Sequence, residues 1–234
     1  MKKIISYINY FSKTEIILWS VSMLLIVGSF VIFDRENYLT LAASVIGGTS
    51  LIFAAKGNPF GQILIIIFSF LYGWISFHYA YYGEMITYLG MTAPMALFSL
   101  ISWMKHPYKG NKSEVTVNCI SRNEIGFIVI LTLIVTIVFY FILKAFDTAN
   151  MIPSTISITT SFLAIYLTFR RSAYYAIAYA ANDIVLMILW IMASLDHIAY
   201  VSVVSCFAAF LINDIYGYIS WQRMYERQNA GSQV

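Results

Sequence analysis

Of 234 residues, 60% are hydrophobic and only 11% charged, with a mean hydropathy of +0.76. A soluble domain of this size carries roughly a quarter charged residues and under half apolar ones. The composition therefore excludes an ordinary soluble domain and gives no sign of a nucleic-acid partner; the net charge of +3 matters less than where the charges sit.

Lys2 and Lys3 precede an apolar run from Ile16 to Phe33. The run is long and no small-x-small cleavage site follows, so it reads as a retained first helix rather than a signal peptide. A bilayer core needs about 20 mostly apolar residues per helix. Eight segments qualify: 16–33, 38–55, 60–82, 85–104, 125–143, 151–169, 174–193 and 197–220. Lipid offers no partner for free backbone groups and the chain lacks the alternation of a barrel, so the spans are helices. Short connections make them neighbouring hairpins in one transmembrane domain, an all-α integral membrane protein. The longest loop, 105–124, is basic and ends in Ser121-x-x-Glu124, the form of a capping box for the fifth helix. Residues 221–234 form a polar tail. Cys119 in the loop and Cys206 in a span suggest no disulfide framework.

Placing the N-terminus inside puts twelve Lys and Arg residues on the inner side and only Arg35 and Lys144 outside. By the positive-inside rule both termini are cytoplasmic. The basic loop then faces the cytoplasm, where it orients the chain and attracts anionic lipid of the bilayer.

Helix four ends "LISWMK" (Leu100–Lys105) and helix eight ends "YISWQR" (Tyr218–Arg223), 118 residues later. Lys56 and Arg170, then Trp74 and Trp190, repeat at nearly the same offset. Matched helices also cross in the same direction. The chain thus reads as two parallel three-helix bundles, 38–104 and 151–220, joined by a linker helix 125–143 and preceded by helix 16–33. Parallel repeats about an axis along the membrane normal are a transporter plan, with the solute site near the midplane between them.

Ionisable residues inside a span cost about 2.5–3.5 kcal/mol on insertion scales and so face a cavity or a partner. Asp183 lies near the middle of helix seven and Asp214 in the inner half of helix eight, at different depths; each follows an Asn, Asn182 and Asn213. Tyr175, Tyr179, Asn182, Leu186 and Trp190 form one stripe of helix seven. Asn213, Tyr216 and Ser220 share a face of helix eight, next to Asp214, Gly217 and Trp221. Helix three carries Ser69, Tyr72, Ser76 and Tyr79 on one stripe, with Trp74 and His78 adjacent and Gln62 nearer the inner end. Helix four offers Tyr88, Thr92 and Ser99 around Pro94. The hydroxyl-rich helix six reads as close packing, and Trp19, Trp103 and Trp221 as interfacial anchors. The candidate substrate-binding set is Asn182, Asp183, Tyr179, Tyr175, Trp190, Asn213, Asp214, Tyr216, Tyr72, Trp74, Gln62 and Tyr88. Carboxylates, aromatic faces and amides together suit a planar, cationic, hydroxylated small molecule such as a vitamin or nucleoside.

The stretches Tyr81–Gly110, Ser113–Asn118, Tyr174–Trp190 and Asn213–Met224 resemble the PnuC family of vitamin transporters. The resemblance implies a relative of the SWEET sugar transporters, assembled as a homotrimer in a bacterial plasma membrane. It further implies nicotinamide riboside uptake for NAD biosynthesis by facilitated diffusion, with a cytoplasmic kinase trapping the product and no cofactor in the chain. Tyr175 and Tyr179 stand where many members carry W-x-x-W, and Phe98–Trp103 reads "FSLISW" where many carry Y-G-W-W-x-W. Relatives proposed for thiamine, riboflavin or deoxynucleosides share the scaffold, so the solute stays open among these. Two other classes compete. An intramembrane enzyme could pair the two Asp residues, but none of the H-E-x-x-H, G-x-S-x-G or Gly-x-Gly-Asp forms is present. A vitamin-binding subunit of an ATP-driven importer would need its ATPase from another protein.

Overall fold

The computed structural model describes residues 10–78, 82–148 and 150–230. Lys2, Lys3 and Tyr79 of the sequence reading lie outside them. Eight helices are long and apolar enough to cross a membrane. They are α1 (Lys13–Phe33), α2 (Tyr38–Ala55), α3 (Phe60–His78), α4 (Tyr82–Lys105), α5 (Arg122–Ala145), α6 (Met151–Phe169), α7 (Tyr175–Ser194) and α8 (Val201–Ala230). Within α4 the stretch Thr87–Thr92 is π-helical, and a 3₁₀ turn, Ile198–Tyr200, leads into α8.

Three features differ from the sequence expectation. First, α1 begins at Lys13 because a capping box opens it: Glu15 N–H donates to Ser12 Oγ (3.2 Å) and Ser12 N–H to the Glu15 carboxylate (2.7 Å). Second, the loop after α4 folds into an antiparallel hairpin, β1 (Pro107–Tyr108) and β2 (Asn111–Val115), with Tyr108 opposite Asn111. Lys109 and Gly110 between them both have positive φ (47° and 80°), the conformation a two-residue I′ turn demands. Third, α8 runs to Ala230 instead of stopping at 220. Hydropathy falls there, but Trp221, Met224 and Gln228 keep a helical stripe buried, and Gln228 Nε2 donates to the Val115 carbonyl (3.0 Å). The tail is held by the hairpin, not by lipid.

The expected half of a capping box appears at α5, where Glu124 N–H donates to Ser121 Oγ (3.2 Å). The Glu124 carboxylate turns instead to Arg170 at the end of α6. Helix α5 touches chiefly α6 and leaves most of its apolar surface outward.

α2, α3 and α4 pack together, as do α6, α7 and α8; α8 also lies against α2, and α4 against α6. Gly61 lets α3 approach α2 closely, since a Cβ there would sit 2.8 Å from Ala54 N. Where the halves meet, the two "ISW" segments find their use. α2 and α6 both end in a Schellman motif: Gly57 and Asn58 N–H donate to Ala54 and Phe53, and Arg171 and Ser172 N–H to Thr168 and Leu167. Gly57 (φ 65°) and Arg171 (φ 55°) take the left-handed position. Trp221 Nε1–H of α8 then donates to the Ala54 carbonyl (2.8 Å) and Ser220 Oγ–H to Ala55 (2.7 Å). Trp103 Nε1–H of α4 donates to Thr168 (2.8 Å) and Ser102 Oγ–H to Phe169 (3.0 Å). Each half thus satisfies the terminal carbonyls of the other, which lack a turn of helix beyond them. The two fully buried indoles meet with centroids 5.4 Å apart. They are structural keystones, not the interfacial anchors the sequence suggested for Trp103 and Trp221.

Candidate solute site

Between this tryptophan floor and the far end of the bundle lies a narrow cavity of about 60 Å³. Every helix of both bundles contributes to its wall. Nearest the floor, Tyr175 of α7 rests on Trp221 (5.0 Å) and neighbours Tyr179 (6.1 Å). Gln62, one turn into α3, faces in at the same end. At the far end Phe68, Tyr88, Phe207 and Phe210 form an aromatic roof, with Phe68 5.8 Å from both Tyr88 and Phe210. Gly47 of α2 completes the wall, and a Cβ there would lie 2.5 Å from the Phe210 ring.

The polar middle is set by α7 and α8. Asn182 turns its amide to α6, where Ser157, Thr160 and Ser161 hydroxyls reach Oδ1 at 3.3, 2.8 and 3.0 Å. The hydroxyls that read as packing on α6 therefore fix the orientation of a wall residue, and Ser161 lines the cavity itself. Asp183 and Asp214 both line this middle of the cavity, and both are buried. The sequence placed them at different depths because a span ending at 220 shortens α8. With α8 continuing past the membrane, Trp221 packing on Tyr175 sets the common level. Asp214 and Asp183 then lie seven and eight residues from it, about 10–12 Å at 1.5 Å per residue. Two buried polar atoms on the wall have no hydrogen-bond partner: Gln62 Nε2, a donor, and Asp183 Oδ2, an acceptor.

Of the twelve residues the sequence singled out, seven line this cavity: Gln62, Tyr88, Tyr175, Tyr179, Asn182, Asp183 and Asp214. Tyr72 and Trp190 stand behind the roof, with Tyr72 4.5 Å from Tyr88 and 6.3 Å from Trp190. Asn213 points away to α1, donating from Nδ2 to Ser22 Oγ (2.8 Å) and to the Ala209 carbonyl (2.7 Å). Tyr216 donates to Glu15 (3.1 Å), whose carboxylate also pairs with Lys56 (3.1 Å). Trp74 is 57% exposed on the outer surface of the bundle, its ring tilted against His78 at 4.8 Å. Wall residues that the stripes did not nominate include Gly47, Ser50, Phe68, Thr168, Phe207 and Phe210. Apolar and small residues carry no chemical signal of their own in a chain this hydrophobic. Among the described residues no group of His, Cys, Asp and Glu gathers to hold a metal ion.

The family model described as nicotinamide mononucleotide transporter matches residues 37–223, from the start of α2 to just past the Trp221 keystone. The chain belongs to this transporter family. It is a multi-pass membrane transporter, and the matched residues span helices α2 to α8. The nicotinamide riboside transporter PnuC of Neisseria mucosa is 22% identical over 203 residues, 85% of this chain and 77% of its own length. The protein of the same name from Haemophilus influenzae is 19% identical over 195 residues, 83% of each chain. A crystal structure of the vitamin B3 transporter PnuC superposes with a TM-score of 0.81 at 20% identity, covering 93% of this chain and 94% of that one. The fold is therefore shared across nearly the whole length.

Proposed function

We propose that this transporter takes up nicotinamide riboside, and that the solute binds in the cavity between the two bundles. The observation that carries the reading is the pair of unpartnered wall atoms, Gln62 Nε2 and Asp183 Oδ2, between tyrosine faces. A carboxamide on a flat cationic ring meets each requirement: its carbonyl accepts from Gln62 Nε2, its NH2 donates to Asp183 Oδ2, and its positive ring suits the tyrosine faces. Buried polar atoms left unmet are costly, so a solute that satisfies both gains affinity over one that satisfies neither. The names of the Neisseria and Haemophilus relatives agree with this chemistry.

Ligand pockets for small molecules run from about 300 Å³ upward, so a cavity of about 60 Å³ belongs to a closed conformation. Entry and exit then require the bundles to part on one side at a time, as in SWEET-like parallel repeats. Movement is downhill by facilitated diffusion, made one-way by a kinase that phosphorylates the solute in the cytoplasm. The side bearing the hairpin is cytoplasmic, with both termini, which agrees with the clustering there of Lys56, Lys105, Arg170 and Arg171 at helix ends. The protein works as a homotrimer in the bacterial plasma membrane and is not an enzyme.

Titration of the purified protein with nicotinamide riboside, thiamine, riboflavin and a deoxynucleoside tests the choice of solute. Nicotinamide riboside is expected to bind most tightly, and proteoliposomes holding this protein alone to take it up saturably without ATP. Tight binding of another member of the set, with none of nicotinamide riboside, overturns the assignment. Conversion of solute by the purified protein without net transport would revive an enzyme.

A further inference from the structure

The polar stripe of α4 does not end at the cavity. Thr92 and Tyr88 line it, and one turn further from the hairpin side the same face carries Glu84. Glu84 is 6% exposed, and its Oε2 has no hydrogen-bond partner. No ion pair reaches it among the described residues. α3 runs antiparallel beside it. Tyr72 meets Tyr88 at 4.5 Å and Gly73 approaches Leu89, so Ser76, one turn on, lies level with Glu84. Ser76 is fully buried and its hydroxyl is likewise unpartnered. A carboxylate in the first turn of a helix gains from the helix dipole, but an exposed one gains as well; burial without a partner is what needs a cause. The repeat does not demand it, because the matching stretch of α8, Tyr200–Ser202, holds no acid. Just past Glu84 the helix becomes π-helical over Thr87–Thr92, a local widening of the helix that recurs at functional positions.

We infer that Glu84, with Ser76 and the Tyr72–Tyr88 pair, forms a second, outer station that receives a flat organic cation before it passes the aromatic roof into the central cavity. The station rests on the cationic solute proposed above. Its carboxylate would hold the positive ring against the outer faces of the two tyrosines, and the acid supplies the attraction that a neutral vestibule lacks.

The test uses the full chain in proteoliposomes and in detergent. Half-saturating concentrations for nicotinamide riboside and thiamine entry from the side opposite the hairpin are compared with equilibrium dissociation constants. Glu84→Gln is expected to raise half-saturation about tenfold while the equilibrium constant moves less than about twofold, and Glu84→Asp to restore entry. Unchanged entry in Glu84→Gln overturns the station. So does a parallel change in both constants, or an Asp variant as poor as the Gln one. If Glu84→Gln does not fold, the wild-type protein decides. Nicotinamide riboside should protect the Glu84 peptide from acylurea formation by dicyclohexylcarbodiimide, read by mass spectrometry, and lack of labelling or of protection counts against the station. Wild-type protein that takes up neither cation overturns the solute assignment and the station together; wild-type uptake with an unaltered Glu84→Gln overturns the station alone.

Discussion

The two ends of the cavity are closed by different physics. On the hairpin side, four side chains from two halves donate to four helix-end carbonyls, and the indoles of Trp103 and Trp221 seal the seam. At the far end the closure is aromatic. Phe68, Tyr72, Tyr88, Phe207 and Phe210 pack edge to face or tilted, while Ser76 and Glu84 behind them keep polar atoms without partners. Directional bonds to main chain hold one geometry; ring contacts worth about 0.5–1.5 kcal/mol each tolerate many. The difference predicts that the far end opens at lower cost, and the hairpin end only when the exchanged caps release.

The largest expected effect falls on the keystones. Trp221→Ala should lower stability by about 3–5 kcal/mol, read as a fall in the thermal midpoint in detergent. Trp103→Ala should match it within about 1 kcal/mol, because both rings do the same task. Unequal effects would break the equivalence of the halves. Accessibility separates the ends next. In a Cys119→Ser background, Ser76→Cys should react with a small maleimide at least about tenfold faster than Ala54→Cys; the reverse order would sink the comparison. Smaller still, Ser102→Ala and Ser220→Ala should each cost about 1–2 kcal/mol, since each leaves a terminal carbonyl unpaired. Smallest, Tyr72→Phe keeps every ring contact of the roof and should shift the thermal midpoint by less than about 0.5 kcal/mol equivalent.

Much of this was legible in the sequence because hydropathy reports contact with lipid directly. All eight spans follow from it, and the "ISW" echo marked the repeat before its use was known. Helical spacing also grouped Tyr175, Tyr179 and Asn182 on one wall. What stayed hidden depends on neighbours rather than on spacing. A stripe fixes which residues share a face, not what that face meets, so Trp74 lies on the outer surface while Gln62, about three turns away, looks in. Asn213 shares the helix of Asp214, yet α1 packs beside it and Ser22 takes its amide. The last ten residues of α8 fell below any hydropathy threshold because the hairpin, not the bilayer, covers them. Glu84 escaped notice at the edge of a span, where an acid is ordinary; only its burial sets it apart.

The exchanged caps also impose an order of assembly. The carbonyls at the end of α2 wait for Ser220 and Trp221, some 165 and 167 residues further along the chain. α6, by contrast, finds Trp103 and Ser102 already made when it arrives. During synthesis, then, the second half matures against a finished partner, while the first half stays incomplete until the final helix enters the membrane. A chain truncated before Ser220 would leave intact every helix of the first bundle and still deprive that bundle of its closure.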